Sequence, residues 1–265
     1  MKKYIVIGNP IEHSLSPKLH NYWIKKNNIE AIYDKQITNE DELENIVSKI
    51  RTNEIQGINV TVPFKNKIIP YLDQLSIEAE STKSVNTIYM KNQLIIGHNT
   101  DIGGFELGLR KINYDITGKK ILILGAGGVV PSIIFALYKM KVSKIYVSNR
   151  TKEKAEKLKN LFKELNVLDW GDVPEFDMII NATSVGLNNN EKINIDLSKI
   201  GNNKFFYDII YNPEETNFLK TGKSLGNRVE NGKLMFIYQA HQAFTLWHKL
   251  MPEINDEVIN VLRND

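Results

Sequence analysis

Not one of the chain's 265 residues is a cysteine. Disulfides, thiolate nucleophiles and the common cysteine-ligated zinc sites are excluded, and the composition fits a reducing compartment. No apolar run approaches the length of a transmembrane helix. Residues 1–8 form too short an apolar segment for a signal peptide and end in a glycine turn. Lysine and arginine number 34 against 31 acidic residues, for a net charge of +3. With no strong basic block, nucleic acid is not an expected partner. None of the five histidines has the spacing of a helical metal motif, so no metal is expected. A cytoplasmic protein is expected, monomer or homodimer, without membrane contact. Its mildly basic balance suits a small anionic substrate and phosphates.

What is there is ordinary globular composition, 42% hydrophobic and 25% charged, with length enough for two domains. The pattern predicts an α/β fold. Strands are expected at 4–7, 31–37 and 55–62, and a helix opens at Ser16-Pro17 with Ser16 as its N-cap. Apolar spacing predicts a helix over 38–50, a broken helix over 68–81, and a hairpin of 87–90 with 94–97. A helix over 102–112 leads into a second domain. There, strands at 119–124, 144–148, 178–181 and 204–209 alternate with helices at 129–140 and 151–165, the signature of a parallel sheet. From Gly232 onward the chain reads as helix, with Phe236, Phe244 and Trp247 expected in a core. The expected domains are 1–105, joined by C-terminal helices at about 240–265, and 106–239.

Gly57-Ile58-Asn59-Val60-Thr61-Val62-Pro63-Phe64-Lys65 alternates apolar and polar residues, as a half-buried strand does, until Pro63 ends it. Lys65 then sits past a strand's carboxyl end, where open α/β sheets place ligands. A lysine there is ordinarily a solvated side chain lying along apolar surface; only its company can make it a proton donor. Gly125-Ala126-Gly127-Gly128 lies between a strand and a helix, where glycine lets backbone approach a pyrophosphate and the helix start offers free N–H groups. The next strand ends Asn149-Arg150-Thr151, with Lys154 following. No acid stands at its tip to bond ribose hydroxyls, whereas Arg150 can grip a 2′-phosphate. NADP is therefore expected over NAD.

Three further clusters carry polar chemistry. Ser14 and Ser16 present two hydroxyls at a helix start, Asn86 an amide, and Asp101 a carboxylate after the hairpin. Together they suit a small polyhydroxylated acid. With residues 9–21, 59–65, Asn99-Thr100-Asp101, the glycine turn, Asn149-Arg150-Thr151, 181–186, Asp208 to Pro213 with Thr216, and Gln239 in the same order, the chain resembles the shikimate/quinate dehydrogenase family over essentially its whole length.

The resemblance implies an N-terminal substrate domain with a mostly parallel sheet and a Rossmann-type NADP domain. It implies an NADP-dependent oxidoreductase that reversibly reduces 3-dehydroshikimate to shikimate in aromatic amino-acid biosynthesis. Lys65 and Asp101 would be the catalytic pair. Ser14 and Ser16 would bind the substrate carboxylate near Tyr211, and Thr61, Lys65, Asn86, Asp101 and Gln239 the ring hydroxyls. Gly125, Ala126, Gly127, Gly128 and Val129, with Asn149, Arg150, Thr151 and Lys154, would hold NADP, and Ile209 and Gly232 would flank the nicotinamide. Four positions depart from the family pattern: Lys83-Ser84 stands for the usual Gly-Ala, Ile77 for an acid found in relatives, and Val129 for alanine. A quinate or dual-specificity dehydrogenase, and a non-catalytic NADP-binding sensor, are the alternative readings.

Overall fold

The computed structural model describes residues 1–188 and 191–263. It divides into two compact units, Met1–Gly104 with Ile237–Asp265, and Phe105–Phe236. Residues 264 and 265, the end of the expected C-terminal helical segment, lie outside the described residues.

The first unit begins with β1 (Lys2–Gly8), α1 (Ser16–Lys26), β2 (Ala31–Ile37), α2 (Leu43–Arg51) and β3 (Gly57–Val60). It continues with β4 (Gln74–Leu75), α3 (Ile77–Thr82), β5 (Thr87–Lys91), β6 (Leu94–His98) and the start of α4 (Asp101–Lys111). Its six strands lie in the order β2-β1-β3-β5-β6-β4. The pairings of β1 with β2 and β3, and of β4 with β6, are parallel; β5 is antiparallel to both its neighbours. β1 is buried from Tyr4 to Ile7, as befits a strand covered on both faces. α2 lays Leu43, Ile46, Val47 and Ile50, one helical stripe, into the core built on Ile5, Ile7, Ile58 and Val60. Each such side chain contributes about 1.5–3 kcal/mol by burial. The hairpin turns at Asn92 and Gln93, both left-handed with φ 51 and 64, the conformation a two-residue hairpin loop requires.

The second unit comprises β7 (Lys120–Leu124), α5 (Val130–Lys139), β8 (Lys144–Ser148), α6 (Lys152–Leu158), β9 (Asn166–Leu168), β10 (Met178–Asn181), β11 (Phe205–Asp208), α7 (Asn217–Ser224) and β12 (Arg228–Glu230). Its sheet is parallel throughout, in the order β12-β11-β10-β7-β8-β9. The chain winds outward from β7 to β9, then resumes on the other side of β7 with β10. The carboxyl ends of β7 and β10 therefore mark the topological switch point, where such sheets bind ligands. α8 (Lys233–His248) starts in the second unit and ends in the first, followed by α9 (Asp256–Val261). α9 packs on α1, where Glu257 accepts from Tyr22 Oη at 2.6 Å and pairs with Lys26 at 2.8 Å. Among the described residues no helix is long and apolar enough to cross a membrane.

Several expected elements differ. The helix over 38–50 starts as a tight turn at Glu40–Glu42, closed by an Asn39/Glu42 capping box, and becomes α-helical only at Leu43. The strand over 55–62 spans only Gly57–Val60, and all four residues are buried rather than alternately exposed. Beyond it Phe64 N–H bonds Thr61 O at 2.9 Å, leaving Val62 exposed and returning Phe64 to the core. Residues 68–81 hold a short turn, β4 and the start of α3 in place of a broken helix. The helix over 151–165 ends at Leu158 because bonds from the N–H groups of Lys159, Asn160 and Leu161 run to the third residue back, tightening the chain into turns before β9. Ser16 is the first residue of α1, not its cap; the cap position is Leu15, and Ser14 Oγ accepts from Ser16 N–H at 3.3 Å. Phe236 does not join Phe244 and Trp247. It lies in the second unit and stacks on Tyr211 with ring centroids 4.4 Å apart.

Candidate active site

Three chain segments meet at the carboxyl end of the first unit's sheet. Lys65 follows the turn that ends β3, Asn86 precedes β5, and Asp101 opens α4 after β6. Backbone bonds lock them together: Val85 N–H to Lys65 O at 2.7 Å, Val60 N–H to Asn86 O at 2.9 Å and Asn86 N–H to His98 O at 3.0 Å. Lys65 Nζ then donates to Asp101 Oδ2 at 2.5 Å, with both side chains about nine-tenths buried. The other carboxylate oxygen, Oδ1, accepts from Asn86 Nδ2 at 2.9 Å. The same amide nitrogen lies 3.4 Å from Gln239 Oε1, which α8 brings in. The Asp101 backbone N–H is satisfied by Asn99 Oδ1 at 3.1 Å, and the start of α4 favours negative charge at this position.

Of the residues expected to contact substrate, the structure thus brings Lys65, Asn86, Asp101 and Gln239 into one hydrogen-bonded group. Thr61 stands at the end of β3, its N–H bonded to Ile7 O of neighbouring β1 at 2.9 Å. Ser14 and Ser16 follow β1, Ser16 buried and Ser14 half-buried. Among the described residues no hydrogen bond joins these three side chains to the Lys65 group. Tyr211 belongs to the second unit. Two residues of the first unit without a role in the sequence reading, Tyr33 and Asn59, connect to this group by hydrogen bonds. A polar residue between Ile58 and Val60 in a strand buried throughout was the available signal.

In the second unit the glycine turn occupies the switch point. Gly125 has φ +112, and a Cβ there would lie 2.7 Å from Ala182 O just beyond β10, so only glycine fits. At Gly127 an added Cβ would meet nothing nearer than 4.0 Å, leaving the turn open above it. α5 follows with Val129 at its cap position and no side-chain cap; its first turn closes on itself, with Val130 N–H bonded to Gly127 O and Ser132 N–H to Val129 O, both at 3.0 Å. Asn149 Nδ2 donates to Thr151 O at 2.7 Å, shaping the turn after β8. Arg150 and Lys154 are exposed and have no ion pair among the described residues. An open glycine turn at the switch point and two unpaired cations fit a phosphorylated dinucleotide. Ile209 and Gly232 are in direct contact: a Cβ on Gly232 would lie 2.1 Å from Ile209 O. Asp208, just before them, accepts from Thr216 Oγ1 at 2.6 Å, Ile210 N–H at 3.0 Å and Asn181 Nδ2 at 3.1 Å. Burial nevertheless pushes its carboxyl up to about 6. Among the described residues no cluster of histidine and acidic side chains could hold a metal.

Comparison with known proteins agrees with this division of labour. Residues 6–88 match the shikimate dehydrogenase substrate binding domain, and residues 106–215 the shikimate / quinate 5-dehydrogenase family. A shikimate dehydrogenase (NADP(+)) of Pelagibacter ubique is 58% identical over 98% of each chain. The crystal structure of shikimate dehydrogenase from Aquifex aeolicus superposes with a TM-score of 0.90 at 36% identity, covering 100% of this chain and 98% of that one. A Thermus thermophilus shikimate 5-dehydrogenase, solved in complex with NADP(H) and shikimate, has a TM-score of 0.89 at 29% identity, covering 99% of this chain and 100% of that one. With the sheet order, the glycine turn and the buried lysine–aspartate pair in place, the chain belongs to the shikimate dehydrogenase family.

Proposed function

We propose that Lys65 and Asp101 carry the proton transfer of an NADP-dependent shikimate dehydrogenase, which reversibly interconverts shikimate and 3-dehydroshikimate. The observation that carries this reading is the 2.5 Å contact between Lys65 Nζ and Asp101 Oδ2, buried and backed by Asn86. Bound NADP would supply the hydride exchange. In ketone reduction the Lys65 ammonium donates a proton to the forming alkoxide; in alcohol oxidation the neutral amine takes it back. Asp101 holds Nζ in place and balances its charge, so that no unpaired ion is left in a poorly hydrated site. Such a positioned acid–base group contributes roughly 10² to 10⁴ in rate.

Ser14 and Ser16 serve the substrate carboxylate, with Tyr211, while Thr61, Asn86 and Gln239 serve the ring hydroxyls. Residues 125–129 receive the pyrophosphate, and Arg150, Thr151, Lys154 and Asn149 the adenosine 2′-phosphate, a role Arg150 suits by its planar fork of donors. Ile209 and Gly232 line the nicotinamide. The test is an absorbance assay of nicotinamide reduction with shikimate or quinate, and with NADP or NAD. Shikimate with NADP is expected to be the preferred pair. Preference for quinate, or for NAD, would refute the substrate or the cofactor assignment respectively, and no turnover of either acid would favour a non-catalytic binding protein.

A further inference from the structure

The carboxamide of Asn86 is oriented by groups whose roles are unambiguous. Thr100 N–H can only donate, and it bonds Asn86 Oδ1 at 2.8 Å. Asp101 can only accept, and it takes Asn86 Nδ2 at 2.9 Å. Behind Asn86 stands a second amide of the same kind. Asn59 is 6% exposed. Its Nδ2 donates to Asn86 O and to Thr87 Oγ1, both at 3.0 Å. The Thr87 hydroxyl in turn donates to Asn86 Oδ1 at 3.1 Å. Because the Asn86 carbonyl can only accept, Asn59 must turn its oxygen the other way, where Tyr33 Oη donates to Oδ1 at 2.7 Å.

Tyr33 is itself fixed. Its side chain is fully buried in β2, stacked on the His20 ring at 4.2 Å and 5°. Asn21 grips its backbone on both sides, Oδ1 accepting from Tyr33 N–H at 2.9 Å and Nδ2 donating to Tyr33 O at 2.7 Å. His20 offers no competing partner: both its ring nitrogens lack hydrogen bonds and burial pushes it down to about 3, leaving a neutral slab. Burying a phenol hydroxyl is costly unless it is bonded, so a phenylalanine would serve packing alone better.

We propose that Tyr33 and Asn59 are positioning residues of the Lys65–Asp101 site. The Tyr33 hydroxyl fixes which way the Asn59 amide faces, Asn59 fixes the Asn86 backbone and the Thr87 hydroxyl, and these hold the Asn86 carboxamide with its N–H toward Asp101 and substrate. The proposal rests on the catalytic reading given above.

The test is steady-state kinetics of Tyr33→Phe, Asn86→Ala and the double variant, with Asn59→Ala as a second probe and thermal melts as the folding control. Tyr33→Phe is expected to lower kcat/KM for shikimate about 10-fold, the effect of one buried hydrogen bond, with KM for NADP unchanged. In the Asn86→Ala background the same substitution should change kcat/KM by less than about twofold, because coupled residues are not additive. Asn59→Ala should lose at least as much as Tyr33→Phe. Wild-type kcat/KM in Tyr33→Phe, or an undiminished loss in the Asn86→Ala background, would overturn the proposal while leaving the catalytic reading intact. A wild-type protein that does not turn over shikimate would overturn both.

Discussion

Asp208→Asn isolates the cost of burying one carboxylate. Every partner of Asp208 donates to it: Thr216 Oγ1, Ile210 N–H and Asn181 Nδ2. Desolvation outweighs them and raises the carboxyl from 3.8 to about 6. A carboxyl raised in the folded state binds its proton more tightly there than in the unfolded chain. Its contribution to stability is full below pH 3.8 and is lost as pH rises through about 6. The whole loss is about 3 kcal/mol, of which roughly half is gone by about pH 5 and the rest follows between there and about pH 7.5. Asparagine cannot ionise, its oxygen can still accept from Ile210 N–H, and its nitrogen can donate to the Thr216 hydroxyl. Exposed carboxyls held low by hydrogen bonds and lysines, such as Asp73, Asp196 and Glu175, are present in both proteins and cancel. Urea midpoints at the two pH values are the measurement. Relative to wild type, Asp208→Asn should gain on the order of 1–2 kcal/mol on going from about pH 5 to about pH 7.5, or about half a molar in midpoint. An equal difference at both pH values would refute the claim that burial governs this acid.

Lys83→Gly should stabilise the protein. Lys83 ends α3 in the left-handed region at φ 47 and ψ 40, a conformation costing about 1–2 kcal/mol for a residue with a Cβ. Glycine's greater freedom when unfolded and the lost, exposed Glu80 pair offset part of this. A net gain of about 0.5–1 kcal/mol in urea unfolding is expected, and no gain would contradict the strain. Arg150→Ala should weaken NADP at least about 10-fold while leaving NAD nearly unchanged, as loss of a charge-assisted phosphate contact predicts; titrations showing equal losses for both cofactors would refute the 2′-phosphate role.

How much was legible in the sequence follows from the length and period of each element. α2 carries a full apolar stripe, and β1 and β7 carry apolar runs, so their types could be read directly. β4, β9 and β12 have two or three residues each, too few for any period to show. The helix expected over 151–165 has apolar residues at helical spacing, with Phe162 and Leu165 buried, yet they are delivered by turns. Spacing cannot distinguish the two. At the site, Lys65 and Asp101 are 36 residues apart and Asn86 and Gln239 are 153 apart. No local pattern links them: their places beside strand ends singled out Lys65, Asn86 and Asp101 separately, and the family resemblance joined them to one another and to Gln239. Asn59 was hidden because polar residues alternating with Ile58, Val60 and Val62 read as the wet side of a strand. It is dry because both faces of β3 are covered: Ile58 and Val60 lie in the core with α2, and Asn59 meets Tyr33, which is stacked on His20 of α1. Tyr33 read as strand filler, since a buried hydroxyl's partner lies elsewhere in the chain.

The most direct measurement of the central claim is the turnover of Lys65→Ala with shikimate and NADP. A loss of roughly 10² to 10⁴ in kcat is expected, with NADP binding retained because residues 125–129 and Arg150 belong to the other unit. Near-wild-type turnover in that variant would contradict Lys65 as the proton-transferring group.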